Sequence, residues 1–154
     1  MKTNAIRILV SKNIIHSARE YEFKENEIDA VSVAHKIGAE PETVFKTLVT
    51  RCDGNEIFVF VIPGNFELNL KKAAHASSSK KIEMIKMKEL LPLTGYMRGG
   101  CSPIGMKKSF PTFIDETATL YEKIFVSAGV RGMQIQLSPD DLLNITSGKF
   151  ADLI

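Results

Sequence analysis

The uninterrupted apolar run Ile57-Phe58-Val59-Phe60-Val61-Ile62, bounded by Asp53-Gly54 before it and Pro63-Gly64 after it, most limits what this chain can become. A strand with no polar alternation is covered on both faces, so the fold must place material on either side of the sheet that holds it. Val44 to Arg51 reads as a preceding strand, and Asp53-Gly54 is the hairpin turn that joins the two.

The rest of the chain supplies the other strands and their cover. Thr3 caps a first helix with Ile6, Leu9, Val10 and Asn13 on one face, ending near Asn13. His16 to Phe23 is an extended, edge-like piece centred on Tyr21. Asp29 caps a second helix with Ala30, Val33, Ala34 and Ile37 on one face, and Gly38 stops it. Asn69 caps a short helix through Leu70, Ala73 and Ala74. Ile82 to Ile85 is a brief strand leading to a helical turn around Leu90 and Leu91. Thr112 to Asp115, Lys123 to Ala128 and Met133 to Leu137 are three further strands. Ser138, Pro139, Asp140 and Asp141 open a last helix, with a cap, a first-turn proline and acids near the helix dipole's positive end. Many short strands with few helices and no regular β-helix-β alternation predict an α+β fold with a largely antiparallel, barrel-like sheet. With 154 residues, 44% of them hydrophobic, the chain fits one domain spanning 1–154.

Two features stand out as candidate chemistry. The first is the loop Tyr96-Met97-Arg98-Gly99-Gly100-Cys101-Ser102-Pro103-Ile104-Gly105, whose glycines let the main chain approach a ligand and turn its N–H groups outward. The second is Lys46, hemmed in by apolar neighbours on its strand. A lysine so placed either snorkels to solvent from an edge or points into a cavity to meet a polar ligand. Cys101 reads as a packed, inert thiol, because His16, His35 and His75 form no recognisable base arrangement with it. The same histidines and the two cysteines lack metal-ligand spacing. Gly105-Met106-Lys107 is not a phosphate loop, which needs Lys directly after Gly and a helix beyond, and Pro111 forbids the helix.

The net charge of +2 is too mild to announce nucleic acid, although Lys71-Lys72, Lys80-Lys81, Lys107 and Lys108 can gather into a basic face. No apolar run is long enough to span a bilayer and no secretory segment is visible, so a cytoplasmic protein with reduced thiols is expected.

Several segments then converge on one family. In order they are Val44-Phe45-Lys46-Thr47-Leu48, Val61-Ile62-Pro63-Gly64, Leu70-Lys71-Lys72, Thr94 to Gly105, Phe113-Ile114-Asp115 and Val126 to Gly132. Together, from about Tyr21 to the last helix, they resemble the YbaK/EbsC family, aminoacyl-tRNA deacylases related to the editing domain inserted in bacterial prolyl-tRNA synthetases. The resemblance implies a single-domain, mostly antiparallel barrel-like sheet with flanking helices, and hydrolysis of Cys-tRNA(Pro) made in error. It implies no cofactor and no metal, mischarged tRNA(Pro) as partner, and prolyl-tRNA synthetase as a candidate second partner. Lys46 matches the residue most needed for activity. Gly99 and Gly100 match the loop that contacts the aminoacyl group, and Tyr21, Thr47 and Ser127 match pocket-lining positions.

For the cysteine-specific members the implied chemistry is substrate-assisted: the thiol of the attached cysteine attacks its own carbonyl and expels the tRNA. This chain departs from many relatives in carrying Cys101 after Gly-Gly, Val130 where a basic residue is common, and Gln134 near a position that is acidic in some. Small pocket changes separate deacylases for Cys-, Ala-, Ser- or Thr-charged tRNA, since one methyl group is worth only about 1–3 kcal/mol. A non-catalytic protein binding an aminoacyl group or nucleotide in the same pocket, and a thiol enzyme using Cys101, are the rival classes.

Overall fold

A computed structural model describes residues 2–154. Its organising unit is the hairpin of β2 (Phe45–Cys52) and β3 (Ile57–Pro63), with Lys46 opposite Ile62 and Thr47 opposite Val61. The apolar run is covered on both sides, as its composition requires. Val59 and Val61 face one core with Phe45, Val49, Ile124, Ile135 and Leu137, which is closed by Ala5, Ile6 and Leu9 of α1 (Asn4–Ser11) and Leu142 of α5 (Pro139–Thr146). Phe58, Phe60 and Ile62 face a second core with Phe113, Ala73 and Ala74, the last two from α3 (Leu70–Ala76). Phe60 and Phe113 stack with ring centroids 5.4 Å apart.

Eight strands form two sheets among the described residues. The larger has the order β4 (Ile82–Met84), β2, β3, β5 (Thr112–Asp115), β8 (Lys149–Ala151). The smaller has the order β1 (Ser17–Glu20), β7 (Met133–Leu137), β6 (Ile124–Ser127). Four of the six strand pairs are antiparallel, so the sheet character follows expectation, while β3–β5 and β5–β8 are parallel. No closed barrel forms among the described residues. The sheets instead meet at a single isolated bridge between Val44 and Phe125. Over that junction lies α2 (Ala30–Ile37), whose Val33 and Ala34 pack on Val44 and Phe125 as a third, small core.

Local chemistry explains the boundaries. Thr3, Asp29, Asn69 and Ser138 each cap a helix through a side-chain oxygen, and Gly38 ends α2 with a left-handed φ of 70°. The first helix stops at Ser11, earlier than its apolar spacing suggests, and Val10 is 46% exposed. The turn at Leu90 and Leu91 lies within a fuller helix, α4 (Met87–Thr94), whose Glu89 carboxylate accepts from the Lys86 backbone N–H. Strand β8 is an addition that the sequence does not announce. Asp115 holds its approach: one carboxylate oxygen accepts from the Leu153 N–H at 2.9 Å and the other from the Thr117 N–H at 3.1 Å.

Candidate active site

Where the two sheets meet, a cavity of about 300 Å³ opens beneath α2. Separate stretches wall it: Ile28, Asp29, Ala30 and Val33 around the α2 N-terminus, Val44 to Leu48 of β2, Arg98, Gly99 and Cys101 of the glycine loop, and Ser127 with Gln134 from the smaller sheet.

The α2 wall is fixed by its cap and by a missing side chain. Asp29 accepts hydrogen bonds from the Ser32 hydroxyl at 2.7 Å and the Ser32 N–H at 3.0 Å. Those bonds hold its carboxyl below the usual carboxylate range. Gly64 lets the helix approach the hairpin, since a Cβ there would lie 2.0 Å from the Ala30 Cβ. Its N–H donates to the Val44 carbonyl at 2.7 Å.

The glycine loop is built around Tyr96. This buried phenol donates to the Ile104 carbonyl at 2.6 Å, and burial pushes its pKa up to about 12, so it remains a hydrogen-bond donor at neutral pH. Gly129, with φ of 100°, faces the ring: a Cβ there would come within 2.7 Å of it. Arg131 ties the loop down from the other side, its Nε donating to the Arg98 carbonyl at 2.7 Å while its guanidinium lies 4.9 Å from the Phe23 ring centroid.

The predicted site residues do not all behave alike. Lys46, Thr47, Gly99 and Ser127 line the cavity together. Tyr21 and Gly100 do not. Tyr21 packs beside the core of Val33, Ala34, Val44 and Phe125, and its N–H donates to the Gly132 carbonyl. Gly100 is buried against the Val130–Arg131 backbone, where a Cβ would meet the Val130 carbonyl carbon at 2.9 Å. Its bareness therefore serves packing, and Gly99, with φ of 84°, is the glycine that faces the cavity.

Lys46 is half-buried and has no ion-pair or hydrogen-bond partner among the described residues. Burial lowers its pKa, and the more distant Glu67 carboxylate acts in the opposite direction. Ser127 accepts from the Gly129 N–H at 3.2 Å and keeps its own hydroxyl proton for another partner. Thr47 Oγ1 and Gln134 Oε1 are buried and accept no hydrogen bond among the described residues. Sequence reasoning noted Gln134 only as lying near a position that is acidic in some relatives, and did not count it among the pocket residues. Gln134 is nonetheless only 6% exposed.

Cys101 also lines the cavity. Burial pushes its pKa up to about 12, which leaves a neutral thiol rather than a nucleophilic thiolate. Iodoacetamide is accordingly expected to label the native Cys101 thiol far more slowly than free cysteine. Labelling as fast as that of free cysteine would mark Cys101 as a reactive thiol after all.

Comparison with known proteins now adds to this geometry. A family model described as the aminoacyl-tRNA editing domain matches residues 24–145. Over 152 residues the chain is 50% identical to an Enterococcus faecalis protein provisionally named Cys-tRNA(Pro)/Cys-tRNA(Cys) deacylase EbsC, covering 99% of this chain and 93% of that one. A proline--tRNA ligase of Shouchella clausii is 28% identical over 117 residues, which are 75% of this chain and only 20% of the ligase. A crystal structure provisionally described as a trans-editing enzyme for prolyl tRNA synthetase superposes with a TM-score of 0.82 at 24% identity, covering 99% of this chain and 98% of that one. At that identity the likeness speaks for the fold.

Proposed function

This chain belongs to the aminoacyl-tRNA editing domain family, in its YbaK/EbsC branch, and from that premise we propose that it is a trans-editing hydrolase that deacylates mischarged Cys-tRNA(Pro). The observation that carries the reading is the pairing, across one small cavity, of an unpartnered ammonium at Lys46 with the bare backbone of Gly99, in the absence of any thiolate or histidine in the wall. Such a cavity positions and stabilises. The attacking group must come from elsewhere.

In the proposed reaction it comes from the substrate. The cysteinyl thiol sulfur bonds to its own ester carbonyl carbon, the ester C–O bond breaks, and the thiol proton ends on the departing ribose oxygen. The cyclic thioester left behind takes up water to give free cysteine. Intramolecular attack removes much of the entropic barrier, so the protein's task is to hold the ester in a reactive geometry. Backbone N–H groups near Gly99 stabilise the developing oxyanion. Lys46 supplies positive charge at the leaving ribose oxygen or the neighbouring phosphate. Thr47 and Ser127 line the pocket around the aminoacyl group.

Outside the cavity, Lys71, Lys107 and Lys108 favour the acceptor stem, giving salt-sensitive binding. Lys72 is partly committed elsewhere, to Asp152 at 3.0 Å. Among the described residues no helix is long and apolar enough to cross a membrane. Mischarged tRNA(Pro) in the cytoplasm is the proposed setting, with prolyl-tRNA synthetase as a second partner.

The test is deacylation of Cys-tRNA(Pro), Cys-tRNA(Cys), Ala-tRNA(Pro) and Pro-tRNA(Pro) in parallel with a buffer blank. Loss of cysteine alone supports the thiol-assisted reaction. Equal loss from both cysteinyl tRNAs assigns recognition to the aminoacyl ester rather than to the tRNA body. Hydrolysis of Ala-tRNA(Pro), which has no thiol, requires activated water and a relabelled pocket. If no ester is cleaved, the same pocket is that of a binding protein.

A further inference from the structure

The amide of Gln134 is the least explained polar group in the molecule. It lies on β7 directly opposite Ser127 of β6, lines the cavity, and is 6% exposed. Its oxygen has no donor, and no hydrogen bond from its nitrogen is found among the described residues. Turning the amide over exchanges the two atoms and leaves one of them unpaired in either orientation. Thr47 Oγ1 is unpaired in the same cavity from the facing sheet. Buried polar groups are normally satisfied, so a pair of orphans lining one cavity points to a missing partner rather than to chance.

The partner's chemistry can be read from what the wall offers. Gln134, Thr47 and Ser127 are neutral groups, each with an oxygen able to accept a hydrogen bond once it is turned to the cavity, and Ser127 already receives the Gly129 N–H on one lone pair. Asp29 is engaged with Ser32, while Lys46 and Arg98 are the cations of the same lining. A phosphate or carboxylate belongs with those cations. A small group rich in donors and poor in acceptors belongs with the oxygens. In an aminoacyl ester that group is the free α-amino nitrogen, with three N–H donors when protonated.

We infer that Gln134, assisted by Thr47, is a specificity-determining residue that binds the free α-amino group of the aminoacyl ester and thereby excludes N-blocked esters such as peptidyl-tRNA. The inference rests on the deacylase reading above and deepens it. In the empty site the Gln134 oxygen is turned into the wall, and rotation of the amide about its last side-chain bond presents it to the substrate. A site built to satisfy hydrogen bonds rejects an analogue that cannot make them, because its own buried groups are then left unpaired.

The experiment compares Cys-tRNA(Pro) with its N-acetylated form, using the unaltered protein, Gln134→Met and Gln134→Glu. The unaltered protein is expected to favour the free amine by at least about 10-fold in kcat/KM. Gln134→Met keeps the shape but removes both polar atoms. It is expected to lose about 10- to 100-fold on the free substrate, and its preference over the N-acetyl form is expected to fall toward unity. Gln134→Glu keeps an acceptor and is expected to restore the preference. Because the orphaned amide gains nothing in the empty protein, Gln134→Met is also expected to melt at the same temperature as the unaltered chain or higher, which a structural role would reverse. Equal hydrolysis of both esters by the unaltered protein overturns the amine assignment alone, as does an unchanged preference in Gln134→Met. Hydrolysis of neither ester by the unaltered protein overturns the deacylase reading and this inference with it.

Discussion

Lys46→Ala is expected to lower kcat/KM for Cys-tRNA(Pro) by about 100- to 1,000-fold, the loss typical of removing one preorganised electrostatic group from a water-poor site. The protein should remain folded. Lys46 makes no ion pair or hydrogen bond among the described residues, and burial disfavours its charged form. Its folded pKa is lowered, so between the lowered folded value and the ordinary lysine value the unfolded chain binds more protons at this position than the folded one. This lysine therefore works against stability near neutrality, and its penalty is relieved as pH rises through the lowered folded value. Replacing it should leave the melting temperature unchanged or slightly higher at neutral pH, which separates loss of function from loss of fold.

The same shift predicts a pH profile. After subtraction of the spontaneous reaction, kcat/KM should begin to fall on the alkaline side below the ordinary lysine range, because that parameter reports the free protein. Lys46→Arg, which cannot deprotonate, should lose that limb whatever its overall rate. A full-rate Lys46→Ala would remove Lys46 from the mechanism.

Gly64→Ala is expected to be the most damaging single methyl in the chain. Its Cβ would lie 2.0 Å from the Ala30 Cβ and 2.8 Å from the Val44 carbonyl oxygen, the latter on a backbone that cannot step aside. Overpacking of this kind costs about 3 kcal/mol. The strain falls on α2 and β2 together, so urea denaturation should show an earlier midpoint and deacylation should fail with it. Adding Ala30→Gly removes the first clash but not the second, and should recover part of the loss. A Gly64→Ala protein with an unshifted midpoint would mean that α2 does not rest on the hairpin as described.

What the sequence disclosed, it disclosed through local chemistry. The caps at Thr3, Asp29, Asn69 and Ser138 lie beside the helices they start, so the rule and the element share the same few residues. The apolar run of β3 reports its own burial. Parallel pairing of β3 with β5, and of β5 with β8, joins segments remote in sequence and leaves no local mark. Lys149-Phe150-Ala151 is too short for alternation to register. In the site, Lys46 was legible because charge among apolar neighbours demands an explanation. Gly99 and Gly100 could not be told apart, because a glycine that touches backbone and one that faces a cavity are written with the same letter. Gln134 was hidden by its strand: alternation tells which side a residue takes, not whether that side is water, core or cavity.

The seam between the sheets carries one more consequence. A pocket bordered by hydrogen-bonded neighbours in one sheet has its width set by strand spacing. Here the facing walls belong to different sheets, joined in backbone among the described residues only at Val44 and Phe125 and otherwise held apart by packed side chains. The aperture is thus a property of that packing, and evolution can adjust it from behind. A larger residue at Ala34, which does not line the cavity, would act as a wedge behind it. Relatives with an identical set of pocket residues can in this way diverge in the size of acyl group they admit.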